Sequence, residues 1–313
     1  MTPILFALAP VFLLIFLGYL LKTRQLVADV FWAPAEKLTF YLFFPALLVG
    51  NTATAELTEI QVLPMTAAMF SGLLLIAGMV ILFGRRFAAD GPAFTSLLQG
   101  AIRPNTYVGI AAAFALFGDA GLTLLAVCIV VTVPIVNLLS VVVLVRHGVV
   151  CGASAEKLSS GWQKALFRVA TNPLILACLL GALLNFSGIG TPSLAAPLLD
   201  ILGRAALPVG LLAVGAGLDL AAARQAGRLV AVITAIKLIA LPAVTFLACK
   251  VFAVGGLTAT ICVMYASLPG SASAYVMARQ MGGDAKLMAG IITATTLAAM
   301  AAMPVAILVL GGD

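Results

Sequence analysis

Two short strings carry most of the residues able to do chemistry inside an apolar chain. One reads Arg103-Pro104-Asn105-Thr106-Tyr107, the other Pro269-Gly270-Ser271-Ala272-Ser273-Ala274-Tyr275. Each lies in the middle of an apolar run long enough to cross a bilayer. Proline removes one amide donor and clashes with the preceding turn, so each string predicts a broken helix. In lipid the freed carbonyls need partners, so both breaks must face protein or a water-filled cavity. Beyond each break a half-helix begins, and its amides and partial positive charge favour an anion. Arg103 strengthens that expectation. It stands about 18 Å from the inner end of its helix at 1.5 Å per residue, too deep to snorkel comfortably. Its planar fork matches a carboxylate. The competing expectation is structural: proline kinks are common in membrane helices, and Arg103 can instead bind carbonyls freed by Pro104.

Other polar residues inside apolar runs extend the candidate set. Asn51 and Asn137 can line a cavity or bridge helices. Lys237, five residues before Pro242, either faces the cavity or snorkels along its stem. Asp200 and Arg204, spaced i, i+4, predict a structural ion pair. Catalytic machinery is missing from the pattern. There is no GxxxxGK[ST] loop and no HExxH, and the one histidine, His147, falls in a loop. The five cysteines form no CxxC pair and read as small buried hydrophobes, so neither metal nor cofactor is expected. No cluster of intramembrane carboxylates suggests a proton relay. An enzyme is therefore not expected.

The elements that must position these residues are membrane helices. The chain has 313 residues, 63% hydrophobic and only 9% charged, with mean hydropathy +1.21. A soluble fold needs a far more charged surface. Ten spans are expected, near 3–21, 33–51, 62–84, 92–117, 121–145, 169–187, 193–218, 228–250, 256–280 and 286–310. The first lacks a basic leader region and reads as a retained span, not a signal peptide. Of the 17 Lys and Arg residues, twelve fall in alternate connections. The positive-inside bias puts those connections in the cytoplasm and both termini outside. It also explains the net charge of +6 without a nucleic-acid partner.

The connection 146–168 separates five spans (1–145) from five more (169–313). An odd number of spans per copy turns the second upside down, giving inverted repeats. Pro104 and Pro269 are 165 residues apart, as are Gly118-Asp119-Ala120 and Gly283-Asp284-Ala285. Phe44-Pro45-Ala46 and Leu207-Pro208-Val209 repeat at an offset of 163. Broken helices at matched positions in two halves point to a transporter's binding site. Within the connection, Glu156–Arg168 reads equally as a solvated loop or as a surface helix with Trp162 at headgroup depth.

The chain resembles the auxin efflux carrier family, in its bacterial branch of malonate and other dicarboxylate carriers. The resemblance runs the whole length. It rests on Phe43-Phe44-Pro45, on Arg103 through Gly109, and on Leu268-Pro269 with Ala274 through Asp284. It implies helices 4 and 9 crossing at their prolines, a scaffold of helices 1, 2, 6 and 7, and a moving unit of helices 3–5 and 8–10. It further implies elevator-like motion and homodimers formed through the scaffold. The sodium–bile acid symporters look like distant relatives. The plant carriers of the family have asparagine where this chain has Arg103 and a long loop where this chain has about 23 residues. A smaller or more highly charged carboxylate than auxin fits Arg103 better. The expectation is an inner-membrane carrier of small organic anions. A sodium-coupled symporter and an anion channel are the alternatives.

Overall fold

In the computed structural model the described residues are 2–55, 62–148, 167, 170–225 and 227–311. Most of the expected connection 146–168, with Trp162 and Cys151, lies outside them. The described secondary structure is helical, apart from one isolated bridge between Pro104 and Gly270. Among the described residues six helices are long and apolar enough to cross a membrane: Pro3–Thr23, Val62–Arg86, Thr106–His147, Ala196–Ala216, Gly227–Val251 and Ala285–Leu310. Their outer faces are apolar. Phe6 is 73% exposed, Leu63 80% and Val309 71%. Such surfaces suit lipid and would aggregate in water.

The chain divides into two compact units. The first comprises residues 1–60, 107–130 and 170–218. Its helices are α1 (Thr2–Thr23), α2 (Asp29–Leu38), α3 (Phe44–Ala53), α7 (Pro173–Phe186) and α8 (Ala196–Ala216), with the earlier part of α6 (Thr106–His147). Helices α1 and α8 meet backbone to backbone. A Cβ on Gly18 would run into the Leu212 carbonyl, and one on Gly215 into that of Ile15. Small residues permit this approach where lipid gives no hydrophobic drive to associate. Lys22 Nζ donates to the Ala216 carbonyl at 2.8 Å, satisfying an orphan acceptor at the end of α8. Asn185 does the same for the end of α3, donating to Ala53 and Ala55.

The second unit comprises residues 61–106, 131–169 and 219–313. It holds α4 (Val62–Phe83), α5 (Gly91–Ile102), the later part of α6, α9 (Leu220–Gln225), α10 (Gly227–Ala235), α11 (Leu241–Val251), α12 (Gly256–Ala266), α13 (Ala272–Met281) and α14 (Ala285–Leu310). Leu73, Leu97, Leu98, Ile102, Ile233 and Ile291 form the centre of its core. Asp90 and Asp284 cap α5 and α14 by accepting from Ala93 N and Leu287 N.

Prolines set the local irregularities. The π-helical turns Thr39–Phe43 and Ile236–Ala240 each end two residues before a proline, Pro45 and Pro242. A ring that cannot donate and that crowds the carbonyl behind it is accommodated by widening the turn. The long α6 is kinked at Gly118, whose φ of 57° and ψ of −143° leave the helix. In the related Gly283-Asp284 string the left-handed residue is Gly282, one position earlier. The expected spans near 92–117 and 256–280 are interrupted: helix stops at Ile102 and Ala266 and resumes at Thr106 and Ala272.

Candidate functional site

The second unit brings the two proline strings side by side. Arg103 is extended (φ −88°, ψ 111°). Asn105 N donates to the Pro269 carbonyl at 2.8 Å, and Pro104 bridges Gly270 in antiparallel sense. Each interrupted backbone thus supplies a partner that the other lost. Gly270 N donates to Thr295 Oγ1 at 3.0 Å on α14. A Cβ at Gly270 would stand 3.2 Å from that oxygen, so glycine keeps the approach open.

Pro104, Asn105, Pro269 and Gly270 are buried, and Thr106 and Ser271 are half-buried. Ser271 precedes α13 without capping it; its hydroxyl pairs with that of exposed Ser273 at 2.9 Å. The start of α13 therefore keeps its positive end free of a side-chain cap. Half-buried Tyr275 lies beneath the Arg279 guanidinium, 5.9 Å from its ring centre.

Arg103 is only 8% exposed. Its guanidinium donates to Asn137 Oδ1 and to the Met277 sulfur, which ties α5 to α6 and α13. Both of these partners are uncharged. Asn137 thus bridges α6 to Arg103 at the end of α5. Met277 was not foreseen in the sequence, where a methionine on a buried face reads as packing. Thr132 and Tyr265, whose hydroxyls lie 2.6 Å apart, and Thr295 were also missed. Only contacts between residues far apart in the chain reveal them.

Lys237 faces inward. It is 1% exposed and lines a pocket with Pro104, Thr132, Thr245 and Tyr265, so snorkelling does not occur. Among the described buried residues the only charged ones are Arg103 and Lys237.

Asn51 and Tyr107 belong to the first unit. Asn51 Nδ2 donates to Asp119 at 3.0 Å, and Thr123 donates to Asn51 Oδ1 at 3.1 Å. Tyr107 packs on Phe44, ring centres 4.6 Å apart. Asp200 and Arg204 form their ion pair at 2.8 Å. It lies on the outer face of α8, with side chains 57% and 80% exposed, and not inside the apolar packing. The cysteines Cys128, Cys178, Cys249 and Cys262 are buried and unbridged, as small hydrophobes are.

Apolar helices of membrane-crossing length that expose their outer faces define a multi-pass membrane protein. The chain matches the membrane transport protein family over residues 3–307 and belongs to it, in agreement with the bacterial branch of the auxin efflux carriers. That is a family of membrane transporters, not of enzymes. Two relatives cover nearly the whole chain. An "Uncharacterized transporter" of Methanothermobacter thermautotrophicus is 24% identical over 297 residues, 94% of either chain. A "Putative malonate transporter" of Rhizobium meliloti is 29% identical over 309 residues, 93% of this chain and 91% of its own.

Proposed function

We propose that this protein is a secondary carrier of small organic anions, mono- or dicarboxylates of malonate size. The observation that carries the reading is the paired break at Pro104 and Gly270, with Arg103 buried beside it. A substrate carboxylate would sit against the Arg103 fork, the side chains of Asn105 and Thr106, and the amides that open α13. Its charge would meet Arg103 in a unit whose described buried residues include no Asp or Glu. A malonate-named relative supports the substrate class.

The architecture that goes with this reading is ten spans in two inverted five-helix repeats, with helices 4 and 9 crossing near the bilayer midplane. Transport is by an elevator, in which helices 3–5 and 8–10 move the site and helices 1, 2, 6 and 7 stay fixed in a homodimer. The two compact units support part of this division: residues 61–106 and 219–313 cluster together, whereas 107–130 group with the helices taken as fixed. The membrane is a bacterial inner membrane with both termini outside. Sodium coupling has one observation in its favour: the amide of buried Gln99, one turn before Arg103, has no partner for either its oxygen or its nitrogen. Reconstitution tests the function. Proteoliposomes should take up labelled malonate or a competing carboxylate saturably. Single-channel currents without saturable counterflow would instead indicate a pore.

A further inference from the structure

The Lys237 pocket is built from the ends of two half-helices. Ile102 is the last residue of α5, and Tyr265 with Ala266 close α12; all three line it, with Pro104, Thr132 and Thr245. Helix C-termini carry partial negative charge, and two of them meet here. Such ends, with unwound carbonyls, are what membrane carriers use to hold a coupling cation. The space left is small, about 20 Å³ for the centres of water-sized molecules, which is room for about one water. An organic anion does not fit, and the helix ends would repel it. The one basic side chain among the described lining residues is Lys237, which arrives on the π turn Ile236–Ala240. No carboxylate is among the described residues that line the pocket. A positive charge at this place would be favoured by the field of the helix ends rather than by a lining carboxylate.

We propose that the Lys237 ammonium is a tethered cation filling the position of a coupling ion at the ends of α5 and α12, so that the carrier works without sodium. This rests on the carrier reading above, but its structural part can be tested without transport. The π turn matters because widening one turn re-aims the side chain that it carries. Lys237 is a positioning residue: its charge holds the two helix ends together beside the anion site and touches no substrate.

Removing the ammonium while leaving space should create a site for a small free cation. Lys237→Ala deletes the side chain beyond Cβ and leaves helix ends and hydroxyls around the void. The purified protein is melted in sodium, potassium or methylammonium chloride against choline chloride at equal ionic strength. The wild type should melt at one temperature in all four. Lys237→Ala should melt lower in choline and recover several degrees in at least one small cation, since a ligand of the native state raises its stability. In proteoliposomes, wild-type malonate uptake should agree within about twofold between sodium and choline. Uptake by Lys237→Ala should fall at least tenfold in choline and recover partly in the rescuing cation. Lys237→Met fills the space without charge and should lose uptake beyond rescue, while Lys237→Arg should retain part of it. If Lys237→Ala does not fold, the contrast between Lys237→Met and Lys237→Arg decides. A sodium requirement in the wild type overturns the proposal. So does a Lys237→Ala melting temperature indifferent to every cation, or a Lys237→Met carrier as active as wild type. If the wild type moves no carboxylate at all, the carrier reading fails, and the melting temperatures still decide the tethered cation.

Discussion

Burying a guanidinium costs several kcal/mol unless its donors are satisfied. At Arg103 the Asn137 oxygen and the Met277 sulfur take up part of that demand. Neither of these two partners carries a charge of its own. Arg103→Gln is therefore expected to weaken malonate binding by about 1.5–3 kcal/mol, the contribution of a charged hydrogen bond. That is roughly tenfold to over a hundredfold, measured by calorimetry on protein that melts near the wild-type temperature. Arg103→Lys keeps the charge but loses the fork, so affinity should drop less. A purely structural Arg103 would instead lower melting temperature and leave affinity unchanged. Asn137→Val separates the two roles further. It strands one buried donor of Arg103 and should destabilise the protein by about 1–3 kcal/mol, read as a lower melting temperature. The polar character of Arg103, Asn137 and Lys237 inside apolar runs was legible in the sequence, because lipid tolerates such residues only with a partner or a purpose. Their partners were not. Met277, Thr132 and Tyr265 look like ordinary packing residues until the fold brings them to the break.

Helices α5 and α12 end where a proline follows, and the strings beyond them find partners in each other and in α14. Asn105 donates to Pro269, and Thr295 accepts from Gly270. Pro104→Ala and Pro269→Ala should each favour continued helix and pull the paired strings apart. Alanine is a good helix former, so the protein should still fold while transport falls steeply. Near-normal uptake by both variants would reduce the breaks to packing kinks. Gly215→Val makes a useful contrast. Its side chain would meet the Ile15 backbone, so expression and melting temperature should fall, with malonate affinity intact in whatever folds. Helix stops beside Pro104 and Pro269, while Pro10, Pro134, Pro208 and Pro304 sit inside continuous helices. The π turns before Pro45 and Pro242 were not legible in the sequence, because a proline in an apolar run signals a disturbance without saying whether the helix stops, bends or widens. The ion pair of Asp200 and Arg204 followed from i, i+4 spacing. Its outward placement depends on which face α8 turns to its neighbours, and spacing leaves that open.

For the molecule as a whole, composition and periodicity sufficed to place the chain in a membrane, since six of the described helices are apolar over a membrane-crossing length. Span counting from sequence goes further than length alone supports. Pro173–Phe186 and Gly256–Ala266 are shorter apolar helices, and the second reaches the break rather than a far interface. The charge bias predicts both termini outside and the connection 146–168 in the cytoplasm. Single cysteines at Thr2 and Ser159, in a background without native cysteines, check this with impermeant reagents. Thr2 should label in intact cells and Ser159 only after permeabilisation; labelling of Ser159 from outside would reverse the orientation. The central claim is that a carboxylate is carried at the paired break. Its most direct test is saturable counterflow of labelled malonate in proteoliposomes, wild type beside Arg103→Gln. The account predicts saturable counterflow, competed by other small carboxylates, with the apparent affinity of Arg103→Gln at least tenfold weaker. Equal affinity in the two well-folded proteins, or no saturable counterflow of any small carboxylate, would contradict it.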